Sequence, residues 1–151
     1  MAEDSKVKII EDPRIARYVI EHINEFNTAN PFLSTLGIRL TEIGWGYMRL
    51  DSVVTPGLTN LYHIAFGGFT SGMADVAMGG ACFGCNKKVV TLDMTTNCMK
   101  AIPEGARIYA VGKVIHNGSH TMVCTGDVYD ESGESCLHTQ GTFYVINEFK
   151  D

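Results

Sequence analysis

Asp75 is an acidic residue whose position in the sequence suggests a chemical role. Between Ser52 and Asn86 it is the only residue with a formal charge, and its neighbours along the chain are methionine, alanine and valine. Burying an ionised carboxylate among such residues is costly unless it is hydrogen-bonded or protonated. A carboxylate in such surroundings is typical of a general base or a nucleophile. An aspartate that bonds a neighbouring strand for packing specificity is the alternative, and the residues alone leave both open.

The pair Gly67-Gly68 precedes Asp75 at the start of the same predicted helix. Free backbone N–H groups at a helix N-terminus can stabilise an oxyanion, and glycine lets a substrate carbonyl approach the backbone closely. Asp75 follows these glycines by seven and eight residues, which predicts both groups on roughly one helix face. An amide donor and a carboxylate on one face are suited to acyl transfer, although helix–sheet packing also explains paired glycines.

The pattern along the chain predicts two helical regions and six strands. The capping pair Asp12-Pro13 indicates a helical N-terminal lead over about 12–30, and a very apolar helix is expected over about 67–83. Turn residues separate the predicted strands, which are 38–43, 47–54, 89–99, 107–116, 121–129 and 135–146.

This order of elements indicates the α+β class. Strands joined by short turns favour an antiparallel sheet with the apolar helix packed on one face. Because the helix is apolar on nearly all sides, the sheet must curl around it and a second subunit must cover the rest. We therefore expect one domain over 1–151, a curled antiparallel sheet of five to six strands wrapped around one long apolar helix.

The composition of the chain excludes some classes of binding partner. The chain has 151 residues and a formal net charge of -5 without a long basic run, so we expect no nucleic-acid partner. Its five cysteines are an odd number, which suits free thiols in a reducing cytoplasm. The apolar stretch Ile64–Phe83 has the length of a membrane span, but Asp75 at its centre argues against lipid. The sequence therefore predicts a cytoplasmic protein without a membrane contact.

Several short motifs lie along the middle of the chain. They are Asn60, Phe66-Gly67-Gly68, Met73-Ala74-Asp75, Ala77-Met78-Gly79, Thr91-Leu92-Asp93-Met94 and His116-Asn117-Gly118. Together they resemble the hotdog-fold acyl-CoA thioesterases of the phenylacetate-pathway (PaaI-like) type. That family has Asn-x-x-Gly-x-x-His-Gly-Gly, then Leu-x-Asp on the central helix and a strand that opens with Thr/Ser-x-Asp-Met/Leu. The resemblance extends from about Pro31 to Ile146.

The resemblance implies a role for each of four residues. The Gly67 N–H would polarise the thioester carbonyl, and Asp75 would act as nucleophile or as general base on a water. Asn60 and Thr91 would hold the water, the carboxylate or the thioester by hydrogen bonds. In such homodimers or homotetramers the site forms between subunits, with Gly67 facing the Asp75 and Thr91 of the partner. Coenzyme A would enter as part of the substrate, with no separate cofactor.

The chain departs from the family pattern in places that affect substrate binding. Phe66 replaces the usual histidine before the two glycines, and His63 replaces the usual glycine three residues earlier. His63 either takes over the role of the missing histidine or is an ordinary surface residue. Gly68 and the turn Gly118-Ser119-His120 complete the predicted substrate contacts, and the family often places arginine or lysine in that turn near the CoA phosphates.

Two other functions remain open at this point. A hotdog-fold hydratase or dehydratase would pair His63 with Asp75, and a non-catalytic protein would bind acyl-CoA without turnover. Metal chemistry has less support, because Cys82-x-x-Cys85 lacks the second pair of a structural zinc site. The chain also has neither a His-Glu-x-x-His helix nor a phosphate-binding glycine loop, so we expect no metal or nucleotide cofactor.

Overall fold

Short helices precede the longer strands of the sheet in the computed structural model, which describes residues 6–150. They are α1 (Arg17–His22), a 3-10 turn (Ile23–Glu25), α2 (Phe26–Ala29) and α3 (Pro31–Leu36). The Asn30 side-chain oxygen accepts a hydrogen bond from the Phe32 N–H at 3.2 Å, which caps the start of α3. Gly37, in the left-handed conformation at φ 67°, ends it. The predicted helical lead is therefore present but broken into pieces.

The first helix begins later than the pair Asp12-Pro13 predicted. The Asp12 carboxylate instead accepts a hydrogen bond from the backbone N–H of Arg14 at 2.9 Å and closes a local turn. A distant residue fixes the chain just before the helix, because the Asn86 Oδ1 accepts a hydrogen bond from the Ala16 N–H at 2.6 Å. The start of α1 thus depends on a tertiary contact that local capping rules do not include.

In the described part of the chain, seven strands form one sheet in the order β1-β2-β3-β5-β6-β7-β4. Their bounds are β1 Lys8–Ile9, β2 Arg39–Gly44, β3 Tyr47–Val53, β4 Lys87–Cys98, β5 Arg107–Asn117, β6 Thr121–Asp130 and β7 Ser135–Glu148. Neighbouring strands are antiparallel except for β1, which pairs in parallel with β2. The observed fold belongs to the predicted α+β class, and its six longer strands correspond to the six predicted strands. The two-residue β1 was not predicted, because two residues show no periodicity.

The long helix α4 (Gly67–Gly84) packs across β3, β4, β5, β6 and β7. Its buried side includes Phe69, Met73 and Met78. Helix and sheet approach closely at Gly112 of β5, where an added Cβ would collide with the backbone carbonyl of Ala77. No described helix, α4 included, combines the length and apolar composition that crossing a membrane requires.

The sheet leaves one side of α4 and one edge strand less covered. Asp75, Val76 and Gly79 are half-buried on the helix. Among the strands of residues 6–150, β4 pairs with β7 alone, so the backbone groups along its outer edge have no strand partner. Leu92 on this strand is 59% exposed. An unpaired edge with exposed apolar side chains is a surface on which another strand can pair.

Gly112→Ala should destabilise the fold by about 2 kcal/mol or more, because the new methyl meets helix backbone that cannot move aside as a side chain would. Urea unfolding at fixed protein concentration measures this change. Gly57→Ala is the matched control, since a Cβ there meets no atom within 4 Å. Its free energy of unfolding should stay within about 0.5 kcal/mol of the parent value. Equal unfolding midpoints for the two variants would contradict the close contact of α4 with β5.

Candidate active site

Asp75 and Thr91 meet where α4 lies against the edge strand β4. The Thr91 hydroxyl donates a hydrogen bond to the Asp75 Oδ1 at 2.8 Å. The pairing of β4 with β7 shifts between Thr91 and Asp93, so Leu92 forms a bulge directly beside this contact. Bulges re-aim side chains and are frequent next to active sites. We refer to Asp75 and Thr91 as the acidic half-site.

A cavity of about 420 Å³ opens beside the acidic half-site. Most of its lining is apolar, and it includes glycines of α4 and an aromatic residue of the N-terminal helices. The lining residues are Phe26, Asn30, Asp75, Val76, Gly79, Gly80, Phe83, Lys87, Lys88, Val89, Val90, Thr91 and Phe143. The carboxylate therefore lies at the wall of a space that can hold an apolar group.

The N-terminus of α4 offers backbone donors. Phe66 is the residue before the helix, and among the described residues no side chain caps this end. The N–H groups of Phe69 and Thr70 both bind the Phe66 carbonyl, at 2.9 and 3.2 Å. The N–H groups of Gly67 and Gly68 are then the ones available to a ligand, with the positive end of the helix dipole behind them. A Cβ at Gly67 would meet no atom within 4 Å, so a ligand can approach closely.

Asn60 shapes the loop that leads into α4. Its Oδ1 accepts hydrogen bonds from the backbone N–H groups of Tyr62 at 2.9 Å and Ile64 at 3.4 Å. These bonds occupy the oxygen and leave the Nδ2 group as the part that can donate to a ligand. Asn60 and Gly67 line one cavity of about 330 Å³ together with Cys98. We refer to Asn60, Gly67 and Gly68 as the amide half-site.

His63 and Phe66 lie on the outer side of the same loop. Both are exposed, Phe66 to 57%, and they line a wide depression of about 680 Å³ with Glu104. His63 has a backbone φ of 58°, in the left-handed region that residues other than glycine rarely adopt. The Phe66 ring folds back over Gly68 and occupies the space that a Cβ there would need. Within one chain, neither side chain lines the cavity of Asp75.

The turn Gly118-Ser119-His120 joins β5 to β6 and does not line the Asp75 cavity. It is linked to that cavity through Lys87, a buried residue whose ammonium donates hydrogen bonds to Asn117 Oδ1 at 2.6 Å and to the Gly118 carbonyl at 2.9 Å. The sequence alone does not indicate this role of Lys87. In the sequence, Lys87 is visible only as part of a Lys-Lys pair after the end of the helix, and such a pair is also typical of a solvent-exposed helix end.

The two half-sites lie apart within one chain. Gly67 and Asp75 line different cavities, so the prediction of roughly one helix face does not hold for Gly67. The reason is helical geometry: at about 100° per residue, an eight-residue separation places two positions about 80° apart around the axis. Gly68, seven residues before Asp75, is the glycine in line with it.

The cysteines near the helix end belong to the core. Cys82, Cys85 and Cys124 are buried, and the sulfurs of Cys82 and Cys124 lie 3.4 Å apart. Burial raises the pKa of the Cys85 thiol to about 11, which disfavours the reactive thiolate. Within residues 6–150, no three His, Cys, Asp or Glu side chains converge in a way that could hold a metal ion.

Comparison with known proteins identifies the family. Residues 62–137 match the model of the thioesterase superfamily. A putative esterase of Archaeoglobus fulgidus is 25% identical over 131 residues, 86% of this chain and 85% of that protein. The 1,4-dihydroxy-2-naphthoyl-CoA hydrolase of Escherichia coli is 25% identical over 133 residues, 86% of this chain and 96% of that protein.

A solved structure gives the same result for the fold. The E. coli PaaI protein of the phenylacetic acid degradation operon superposes with a TM-score of 0.82 at 19% identity, over 89% of this chain and 97% of that one. The predicted resemblance is therefore confirmed at the level of family and fold. This chain belongs to the thioesterase superfamily and is a hotdog-fold thioesterase.

Proposed function

We propose that the protein hydrolyses an acyl-CoA thioester, with Asp75 as the catalytic carboxylate. The observation that carries this proposal is the hydrogen bond of 2.8 Å by which Thr91 fixes Asp75 at the wall of an apolar cavity. A half-buried carboxylate held by a single hydroxyl keeps its second oxygen for a water or for a thioester carbon. The relative named as a CoA-thioester hydrolase supports the same class of substrate.

The reaction then follows from the two half-sites. Asp75 accepts a proton from a water whose oxygen attacks the thioester carbon, and the Gly67 N–H donates to the resulting oxyanion. The C–S bond breaks, and the proton held by Asp75 passes to the coenzyme A thiolate. In the alternative route Asp75 itself attacks and forms a mixed anhydride, which water hydrolyses after the thiolate has left. Asn60 positions the water or the thioester through its Nδ2 group.

We infer that the complete site is shared by two chains in a homodimer or homotetramer. Within one chain the amide half-site and Asp75 line separate cavities, so an oxyanion at Gly67 and an attacking water at Asp75 require a partner. The unpaired edge of β4 carries Thr91 and is free to pair with a second copy. Pairing at this edge would bring the acidic half-site of one chain toward the other chain.

The turn Gly118-Ser119-His120 is the proposed contact for the coenzyme A portion. This proposal is supported by the buried Lys87 ammonium, which donates to the Gly118 carbonyl and adds positive charge close to the turn. His63 and Phe66 would contact substrate from the loop before α4. A hydratase that pairs His63 with Asp75 would need a partner chain as well, because the two residues line different depressions of one chain. The match to the thioesterase superfamily favours hydrolysis over this alternative.

We also infer a reducing, cytoplasmic setting. Coenzyme A thioesters are a class of intracellular substrate, and the five cysteines are an odd number that suits free thiols. Four of the five are buried, where they pack as small apolar groups.

Asp75→Asn should keep the fold and reduce acyl-CoA hydrolysis by at least about 10²-fold, because the amide keeps the volume but cannot accept the proton. Release of free coenzyme A from a panel of acyl-CoAs, followed with a chromogenic thiol reagent, measures the rate. Because the exposed Cys98 of the protein also reacts with the reagent and lines the cavity of Gly67, coenzyme A is determined in samples withdrawn from the reaction, with the protein alone as the blank.

The same assay separates the alternatives. Thiol release by the parent protein supports hydrolysis, hydration without thiol release supports a hydratase, and binding without either supports a non-catalytic protein. Near-parental turnover in Asp75→Asn, at an unchanged melting temperature, would end the proposed mechanism whatever the substrate.

Thr91→Val and Thr91→Ser form a matched pair. The valine variant keeps the shape but loses the hydroxyl that donates to Asp75, so turnover should fall by about 10-fold or more, on the scale of one lost charge-assisted hydrogen bond. The serine variant keeps the donor and should retain most of the rate. Melting temperatures of both variants show whether a lower rate comes from a loss of folded protein. Equal rates for serine and valine would show that the hydroxyl has no part in turnover.

The protein should have no stable folded monomer. Sedimentation velocity at micromolar concentration should show a dimer or tetramer, because the half-exposed side of α4 and the free edge of β4 both require a cover. A folded species with the mass of a single chain under these conditions would contradict the shared site.

A further inference from the structure

We propose that Gly79 sets the size of the acyl group that the site accepts. This inference rests on the proposed thioesterase site and concerns which thioesters enter it. Gly79 follows Asp75 by four residues on α4, so the two positions lie one above the other on the same helix face. Both line the cavity of about 420 Å³ that opens beside the carboxylate.

The packing of the helix does not require a glycine at this position. A Cβ at Gly79 would meet only the Phe143 ring, at 3.9 Å, which is an ordinary van der Waals contact. The next residue differs, because a Cβ at Gly80 would collide with the Met48 side chain in the core. Glycine in a helix interior is unfavourable relative to alanine. The absence of a side chain at Gly79 therefore enlarges the cavity, and the packing of the core does not require it.

Apolar side chains form most of the cavity wall around Gly79, while Lys87 and Lys88 add polar groups to it. Val76, Phe83, Val89 and Phe143 line the cavity from α4 and the sheet, and Phe26 closes it from the N-terminal helices. A thioester carbon at Asp75 would direct its acyl substituent along α4, across Gly79 and toward Phe83. The geometry thus assigns the cavity to an acyl group larger than acetyl, which would contact the helix at Gly79.

A graded substitution tests this assignment. Gly79→Ala and Gly79→Val fill the cavity stepwise, and kcat/KM is measured for acetyl-, butyryl-, hexanoyl-, octanoyl- and benzoyl-CoA. The ratio of kcat/KM for octanoyl-CoA to that for acetyl-CoA should fall by at least about 10-fold in Gly79→Val, the scale expected when a pocket loses the space for a few methylenes. Gly79→Ala should give a smaller fall in the same direction.

Gly57→Val is the matched control, because Gly57 lies outside this cavity and a Cβ there meets no atom within 4 Å. Its octanoyl-to-acetyl ratio should equal that of the parent. Melting temperatures identify any loss that comes from misfolding, since such a loss lowers the rate for every substrate alike. An unchanged ratio in both Gly79 variants, with the parent protein active, would overturn the role of Gly79 alone. A parent protein that hydrolyses none of the five thioesters would overturn the proposed function and, with it, this inference.

Discussion

The close packing of α4 on the sheet is the constraint on which the rest of the structure depends. At Gly112 the strand backbone approaches the helix carbonyl of Ala77 so closely that no side chain fits between them. This contact fixes the rotation of the helix and thereby places Asp75 on its half-buried side, within reach of the Thr91 hydroxyl. The same helix begins at Gly67 without a side-chain cap from Phe66. One packed helix thus carries both a carboxylate and a set of amide donors.

A large part of this arrangement could be predicted from the sequence, because the signals are local. The apolar run over about 67–83 and the turns between strands each depend on neighbouring residues, and the observed α4 and six longer strands agree with them. Asp75 could be selected because it is the only charge in a long apolar stretch. The family resemblance rested on residues that the superfamily match now spans in large part, over 62–137.

The remainder depends on contacts between residues far apart in the chain. The start of α1 is set by Asn86, 70 residues after Ala16, and not by the local capping pair. Lys87 binds Gly118 across 31 residues, a contact that a Lys-Lys pair does not indicate. Helical spacing placed Gly67 and Asp75 on one face only roughly, and the structure puts them in separate cavities. Because of that separation, the proposed site requires a partner chain.

The central claim is that each active site combines the Gly67 amide of one chain with the Asp75 carboxylate of another, and mixed oligomers test it most directly. Gly67→Pro removes the backbone N–H that would bind the oxyanion. Proline is favoured at the first position of a helix, and the extended conformation of Phe66 (ψ 129°) accommodates a following proline. Chains carrying Gly67→Pro and chains carrying Asp75→Asn, each inactive alone, are co-expressed with different tags, and the mixed dimer is purified. The account predicts that thioesterase activity returns in the mixed dimer, because one of its two sites then has both an intact amide and an intact carboxylate. A mixed dimer as inactive as its two parents would contradict it.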